Sequence, residues 1–111
     1  MDIQSKLKEY RQQAQTCEGS ACMDIACEVI SLMGYVNVQA AHKKQEAYAI
    51  AVAEMANDAS ATKSELIMKA SDEYREYLKW YGYSEVLMEM SRTLRAKGKM
   101  SESERSETYG S

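Results

Sequence analysis

The sequence predicts an all-α protein, a small helical bundle of three to four helices with a long C-terminal helix. Three observations support this prediction. The 111 residues contain no proline and only five glycines, so the residues that most often interrupt helices are rare. Alanine, glutamate, lysine and methionine, which favour helices, occur throughout the chain. Apolar residues recur at intervals of three and four positions, the spacing of one helical face.

Composition limits the class of protein. The chain has length for one compact domain, which we place at residues 1–100, followed by a Ser/Glu-rich flexible tail at residues 101–111. We find no apolar run of membrane-spanning length and no secretory signal, and three cysteines are an odd number for a closed disulfide framework. We therefore expect a cytoplasmic protein without a membrane partner. The net charge of −3 argues against general binding of polyanions.

The first half of the chain predicts two helices. How the second of them connects to a third helix is left open. Helix one spans Asp2 to about Cys17, with Gly19 as its C-terminal cap. Ser20 caps a second helix, whose apolar positions are Cys22, Ile25, Val29 and Leu32, widened by Ala26, Ile30 and Met33. Residues 33–38 are β-branched around a glycine, so they predict a turn, a kink or a continuation of the same helix.

Two more helices are predicted in the second half. Helix three covers about residues 39–56, with an inward face of Ala40, Ala47, Ile50, Ala51 and Met55. Residues 57–61 indicate a break, after which Thr62 and Glu65 have the spacing of a capping box. Helix four then runs to about Lys97, which at 1.5 Å per residue is on the order of 54 Å. A helix of that length bends, protrudes or pairs with another chain.

Five of the nine aromatic residues lie within ten positions of helix four. They follow two heptad frames that shift by one position around Gly82, where a kink is one alternative. One hypothesis is a core helix that packs on two neighbours in turn. The other is a partner-binding surface, because tyrosine and tryptophan are enriched in interfaces. The candidate partner-binding residues are Tyr74, Tyr77, Trp80, Tyr81 and Tyr83.

Four basic residues near the end of helix four form a second candidate site. They are Arg92, Arg95, Lys97 and Lys99. The structural interpretation is that they offset the negative end of the helix dipole. The functional interpretation is a surface for single-stranded nucleic acid, formed with Arg75, Lys79 and the adjacent rings.

The sequence does not predict an enzyme, and it predicts no cofactor, metal site or catalytic residue. Successive members of Cys17, Cys22 and Cys27 are five residues apart, which rotates them by about 140° on a helix, so they cannot converge as metal ligands unless the segment is not helical. The single histidine, His42, lies beside lysines and indicates a solvated surface residue. Phosphate-binding loops and the signatures of hydrolases and metalloproteases are absent from the sequence.

Residues 40–100 carry a pattern that resembles a group of known proteins. It consists of an alanine-rich helix with Tyr48, the start at Thr62 to Glu65, the run Tyr74-Arg75-Glu76-Tyr77, and the ending Leu94-Arg95-Ala96-Lys97. This order is similar to that of small all-helical proteins from the early regions of phages and prophages. Some of those lie beside recombination genes, and others inhibit host defence, as anti-CRISPR proteins do. The resemblance implies a non-catalytic protein in a bacterial host cytoplasm, which binds a nucleic-acid-processing or defence machine such as a CRISPR effector.

Two functions therefore compete. The first is a protein-interaction protein that binds and inhibits a host protein or ribonucleoprotein complex through its aromatic residues, with acidic faces that imitate phosphates. The second is a module for single-stranded nucleic acid or recombination that uses the basic residues. Either protein is compatible with a homodimer that covers the aromatic face of helix four.

Overall fold

The computed structural model describes the backbone of residues 2–110 and the side chains of residues 2–99. Within those residues the chain forms four helices and no strand, which confirms the all-α prediction. The helices are α1 (Ile3–Thr16), α2 (Ser20–Ala56), α3 (Ala61–Lys69) and α4 (Asp72–Gly110). The long C-terminal helix is present. The flexible tail predicted for residues 101–111 lies outside the described side chains and stays a prediction.

The helices form two compact units. Unit one comprises residues Met1–Met33 and Glu85–Ser111, and unit two comprises residues Gly34–Ser84. The single domain at residues 1–100 stays a prediction. Two long helices, α2 and α4, contribute a segment to each unit, so each unit is described by itself below.

The start of α1 follows the prediction, but its C-terminal cap does not: Cys17, with extended backbone, is the cap, and Gly19 lies two residues beyond it. The Asp2 side chain accepts a hydrogen bond from the Gln4 amide at 3.1 Å and caps the N-terminus. After the last residue of α1, the chain turns through Gly19, whose φ of 59° is a left-handed conformation that glycine adopts without steric conflict. The next helix starts directly after this turn, with Ser20 as its first residue, so Ser20 lies inside α2 and does not cap it as predicted.

The open question at residues 33–38 is resolved in favour of a continuous helix. The second and third predicted helices are one element, α2, of 37 residues. It ends where the sequence indicates a break. Asp58 has φ 67°, and the Ala59 amide donates to the Glu54 carbonyl at 3.1 Å. This is a Schellman ending, in which a left-handed residue lets the chain reverse.

The start predicted for helix four is wrong by two residues, and the helix itself is two helices. Ser60, not Thr62, caps α3, because its hydroxyl accepts a hydrogen bond from the Lys63 amide at 3.2 Å. After the nine residues of α3, Ser71 caps α4, which begins at Asp72. Its hydroxyl accepts from the Tyr74 amide at 3.2 Å and donates to the Met68 carbonyl at 2.5 Å. A local side-chain bond of this kind competes with a continuous helix.

Unit one has a well-packed apolar core. Its buried side chains are Ile3, Leu7, Tyr10, Cys17, Cys22, Ala26, Val29, Leu32, Leu87, Met90 and Leu94. Close packing extends to Gly98, where a Cβ atom would lie 2.9 Å from the Met23 sulfur. The absence of a side chain at this position lets α4 approach the start of α2.

Unit two has a thinner core made of small residues. Its buried members are Val36, Ala40, Ala47, Ser64, Met68 and Ser84. The Ser84 hydroxyl donates to the Asn37 side-chain oxygen at 2.5 Å, which joins α4 to α2 within the unit. Met55, predicted to point inward, is exposed. Because few large side chains are buried, much of the apolar surface of unit two faces solvent.

The expectation that the chain has no apolar run of membrane-spanning length is wrong for α2. Within the described residues, α2 is long enough and apolar enough to cross a membrane, with an 18-residue window of mean hydropathy 1.4. Length and composition alone are weak evidence, because core helices of soluble proteins pass the same criterion. Only 28% of that window is buried, so α2 presents apolar surface that its own chain does not cover.

Candidate protein-interaction surface

The aromatic surface, defined as Tyr74, Tyr77, Trp80, Tyr81 and Tyr83, lies at the start of α4. Its rings separate into two groups. Tyr74, Tyr77 and Tyr81 form a continuous row, with centroid distances of 5.7 Å and 6.0 Å between successive rings. These residues are three and four positions apart, which places them on one face of the helix.

The second group connects two helices of unit two. Trp80 makes edge contacts with Tyr83 at 5.7 Å and with Tyr35 of α2 at 6.1 Å. Edge-to-face packing is a favourable geometry for aromatic rings. The two heptad frames of the sequence separate the rings in the same way. One frame contains Tyr74, Tyr77 and Tyr81, and the other contains Trp80 and Tyr83. Tyr35 is the partner that sequence reasoning missed, because its position in the open segment at residues 33–38 carried no helical assignment.

The five rings differ in accessibility. Tyr81 is the most accessible, with 48% of its surface exposed, and Leu78 beside it on α4 is equally exposed. The other four rings are half-buried. Trp80 and Tyr83 are therefore held in place by packing within unit two, whereas Tyr81 presents its ring to solvent. Both interpretations of the aromatic segment apply, each to different rings.

A cleft of about 290 Å³ opens beside the tyrosine row. All three helical segments of unit two line it. The lining residues are Lys44, Tyr48, Ala51, Met55, Ala61, Ser64, Glu65, Met68, Lys69, Tyr74 and Tyr77. The sequence indicated Tyr74 and Tyr77 but not the cleft, because the break at residues 70–71 brings α3 back against α2.

The cleft combines aromatic walls with positive charge. The Lys44 ammonium lies 5.6 Å from the centroid of the Tyr48 ring and 5.9 Å from that of Tyr77, which is cation–π geometry. Lys69 forms a 2.9 Å ion pair with Glu65, and this hydrogen bond raises the pKa of Lys69. Ser64 is 1% exposed, and its hydroxyl has no hydrogen-bond partner within residues 2–99.

Three of the four basic residues of the second candidate site are engaged in local structure. Arg92 forms a 3.1 Å ion pair with Glu89, and the Arg95 Nε donates to the Ser91 carbonyl at 3.3 Å. Lys97 donates to the carbonyls of Ala14 and Gln15, at 3.0 Å and 3.4 Å. Lys99 is exposed.

The dipole interpretation of this basic cluster needs a correction. Because α4 continues to Gly110, the four residues do not lie at the end of their own helix. Lys97 instead donates hydrogen bonds to the last carbonyls of α1. It therefore offsets the negative end of the α1 dipole, not of its own helix.

The cysteines also differ from expectation. Cys17 caps the end of α1, and Cys22 lies in the first turn of α2. The two cysteines are on different helices, so the 140° rotation expected on a single helix does not apply to them. Their thiols are hydrogen-bonded. Burial and, to a smaller extent, this hydrogen bond raise the pKa of Cys22. Cys27 is exposed, and all three cysteines are free thiols.

Unit one also carries an open groove of about 500 Å³ between α1 and α4. It is lined by Arg11, Ala14, Gln15, Glu85, Val86, Glu89, Met90 and Thr93. Its floor is apolar, and opposite charges stand on its two walls.

Within the described side chains, no group of three or more histidine, cysteine or acidic residues is placed to hold a metal ion. His42 is exposed. Comparison of the chain with protein-family models, with curated proteins and with solved structures finds no match.

Proposed function

We propose that this chain is a non-catalytic protein-interaction protein that binds a host protein or ribonucleoprotein complex through its aromatic surface. The observation that carries the proposal is the exposure of Tyr81 and Leu78 next to rings that are already fixed. A contact residue whose neighbours are ordered loses little conformational freedom when it is buried by a partner. Tyrosine and tryptophan contribute large apolar area together with a polar group, which is why they dominate binding energy in many interfaces.

The cleft beside the tyrosine row extends this surface. Its two lysines and three tyrosines suit a partner segment that carries an acidic side chain next to an apolar one. The unpartnered Ser64 hydroxyl supplies one polar group on the cleft lining. A surface of this composition fits recognition of a protein segment rather than chemistry on a small molecule.

The target class comes from the resemblance to small phage and prophage proteins. It implies a partner among host nucleic-acid-processing or defence machines, such as a CRISPR effector, and an inhibitory effect of binding. The protein then acts in the cytoplasm of a bacterial host.

The test is an affinity pull-down from bacterial lysate, run with and without nuclease, and read by mass spectrometry and by the absorbance ratio at 260 and 280 nm. A discrete protein that survives nuclease treatment is the expected result. Tyr81→Ala should weaken its capture at least tenfold, because an exposed hot-spot ring is lost. Of the rings it contacts, Tyr77 at 6.0 Å stays in the row with Tyr74. Ile30→Ala, a comparably exposed apolar position in unit one, is the matched control and should bind like the wild type.

The same experiment tests the second function. Recovery of nucleic acid that nuclease removes, with no protein remaining, would contradict protein binding and favour the module that uses Arg92, Arg95, Lys97 and Lys99. Binding of that kind should fall steeply with salt, because each phosphate contact releases counterions. Lys97 already donates two hydrogen bonds within unit one, which lowers the number of cations available to phosphates.

A further inference from the structure

One face of α2 within unit two carries a continuous uncharged stripe. It consists of seven residues spaced alternately by four and three positions, all exposed: Gly34, Val38, Ala41, Gln45, Tyr48, Val52 and Met55. We call it the α2 stripe. It spans 22 residues, or about 32 Å at 1.5 Å per residue. Alternating spacing of four and three is the heptad pattern by which two helices pair along a seam.

The α2 stripe is separate from the face that α2 buries in its own unit. The buried residues on that segment are Val36, Ala40 and Ala47, which lie roughly 130° around the helix from the stripe at 100° per residue. The helix therefore has two apolar faces. Its own chain buries one, and of the other only Tyr48 and Met55 border the cleft that α3 and α4 also line. A periodic apolar seam of this length without charge is an unusual surface to leave in water.

The order of side-chain sizes along the α2 stripe indicates its occupant. Small residues, Gly34 and Ala41, stand in its first half, and large ones, Tyr48 and Met55, stand in its second half. Two copies that pair in antiparallel orientation place the large side chains of each copy over the small ones of the other. Parallel pairing would place large on large and leave gaps elsewhere. Close-packed interfaces require the first arrangement.

The middle of the α2 stripe supports the same arrangement. Gln45 is the central residue, so in a two-fold antiparallel pair it faces its own copy. A side-chain amide has both donors and an acceptor, and two such amides can satisfy each other. A single polar residue in an apolar seam also fixes the register of a helix pair.

A membrane fits this face less well, although α2 has membrane-like hydropathy. Interfacial helices have a broad apolar face with basic residues along its edges, whereas the α2 stripe is narrow and centred on an amide. The segment from residue 42 to residue 46 reads His-Lys-Lys-Gln-Glu, so a membrane span centred on the α2 stripe would carry charges at its middle. Charge at the centre of a spanning helix is strongly unfavourable.

We propose that the α2 stripe is a homodimer interface, in which a second copy of this chain pairs along it in antiparallel orientation. The α2 stripe shares no residue with the aromatic surface, so the proposal does not depend on partner binding there. Tyr48 and Met55 also line the cleft, so a dimer would compete with a partner segment for that part of unit two. It places the dimer on α2, whereas the homodimer that the sequence left open was one through helix four.

The first test is the mass in solution by light scattering or sedimentation. The full chain of 12.5 kDa should give twice that mass at micromolar concentration. Val52→Glu should raise the dissociation constant roughly 100-fold or more, because both copies would bury a charge. Leu66→Glu on α3 is the matched control, since Val52 is 66% exposed and Leu66 is 65% exposed. It should remain dimeric.

The second test determines orientation by disulfide cross-linking in a Cys27→Ser background. Gln45→Cys should form a covalent dimer on mild oxidation, because the two copies meet at the axis. Val52→Cys should not, because antiparallel pairing separates the two positions by roughly 14 residues, about 21 Å, far beyond the reach of a disulfide.

Four results would overturn the proposal. A monomer at high micromolar concentration would exclude the dimer. If Leu66→Glu dissociates the dimer as Val52→Glu does, the interface is not confined to the α2 stripe. Equally efficient cross-linking at positions 45 and 52 indicates parallel pairing. Co-flotation of the protein with lipid vesicles that Val52→Glu abolishes, without self-association, would assign the α2 stripe to a membrane instead.

Discussion

Trp80 and Tyr81 are adjacent in sequence, and their surroundings differ. Trp80 contacts Tyr35 and Tyr83, whereas Tyr81 is half exposed at the end of a tyrosine row. Replacement of Trp80 by alanine removes contacts inside unit two and therefore combines lost stability with lost binding. Tyr81 contacts Tyr77 but is the most exposed of the five rings, so its replacement disturbs packing less and reports binding more directly.

The three cysteines give a prediction at the same scale. Cys27 is exposed, while Cys17 and Cys22 are buried and the pKa of Cys22 is raised, so fewer of its thiols are ionised near neutral pH. A maleimide reagent at pH 7.5 should therefore label one thiol quickly, and mass spectrometry of peptides should locate it at Cys27. In guanidinium chloride all three should react. Rapid labelling of Cys22 in the native protein would contradict its burial.

At the scale of elements, local hydrogen bonds decide where helices begin. Two hydroxyls, at Ser60 and Thr62, compete in the sequence for the start of α3, and the structure assigns the cap to Ser60. Ser60→Ala should lower the free energy of unfolding by about 1 kcal/mol, the usual effect of losing a cap. Thr62 is exposed and is the second residue of α3, so Thr62→Ala should change the free energy of unfolding far less. Chemical denaturation of both variants measures the difference.

Glycines inside α4 give a second prediction at this scale. Nothing lies within 4 Å of a Cβ placed on Gly82, whereas one on Gly98 would meet the Met23 sulfur. Gly82→Ala should therefore stabilise the protein by about 0.5–1 kcal/mol, since alanine has the higher helix propensity. Gly98→Ala should gain less, because Met23 must move. A larger gain for Gly98→Ala than for Gly82→Ala would show that α4 and α2 are not in close contact there.

The helix boundaries also show which parts of the fold could be predicted from the sequence. The start of α1 and the break after α2 were predicted, because Asp2 and the residues around Asp58 act through bonds to their own neighbours. The cap at the end of α1 was assigned to Gly19, whereas Cys17 holds that position. The division at Ser71 was missed. A serine inside an otherwise helical pattern carries no strong local signal, and its role as a cap depends on a chain reversal that only packing stabilises.

At the scale of the whole molecule, self-association makes apparent stability depend on concentration. If two copies pair along the α2 stripe, the dimer is the folded species and dilution favours the unfolded chain. The Tm of the wild type should rise with protein concentration between about 1 and 100 μM. Val52→Glu should remove most of this dependence, and Leu66→Glu should retain it. A wild-type Tm that is constant over this range would argue against the dimer.

The sequence by itself determined the helical class, the start of α1, the end of α2, and the division of the aromatic residues into two groups, because periodicity and capping are local properties of the chain. Tertiary structure decided which of those residues are accessible. Tyr35 against Trp80, Lys97 on the carbonyls of α1, and Cys17 beside Cys22 are contacts between elements, and helical spacing does not specify which face another element will cover. For the same reason the exposed α2 stripe became visible only once the buried face of α2 was known.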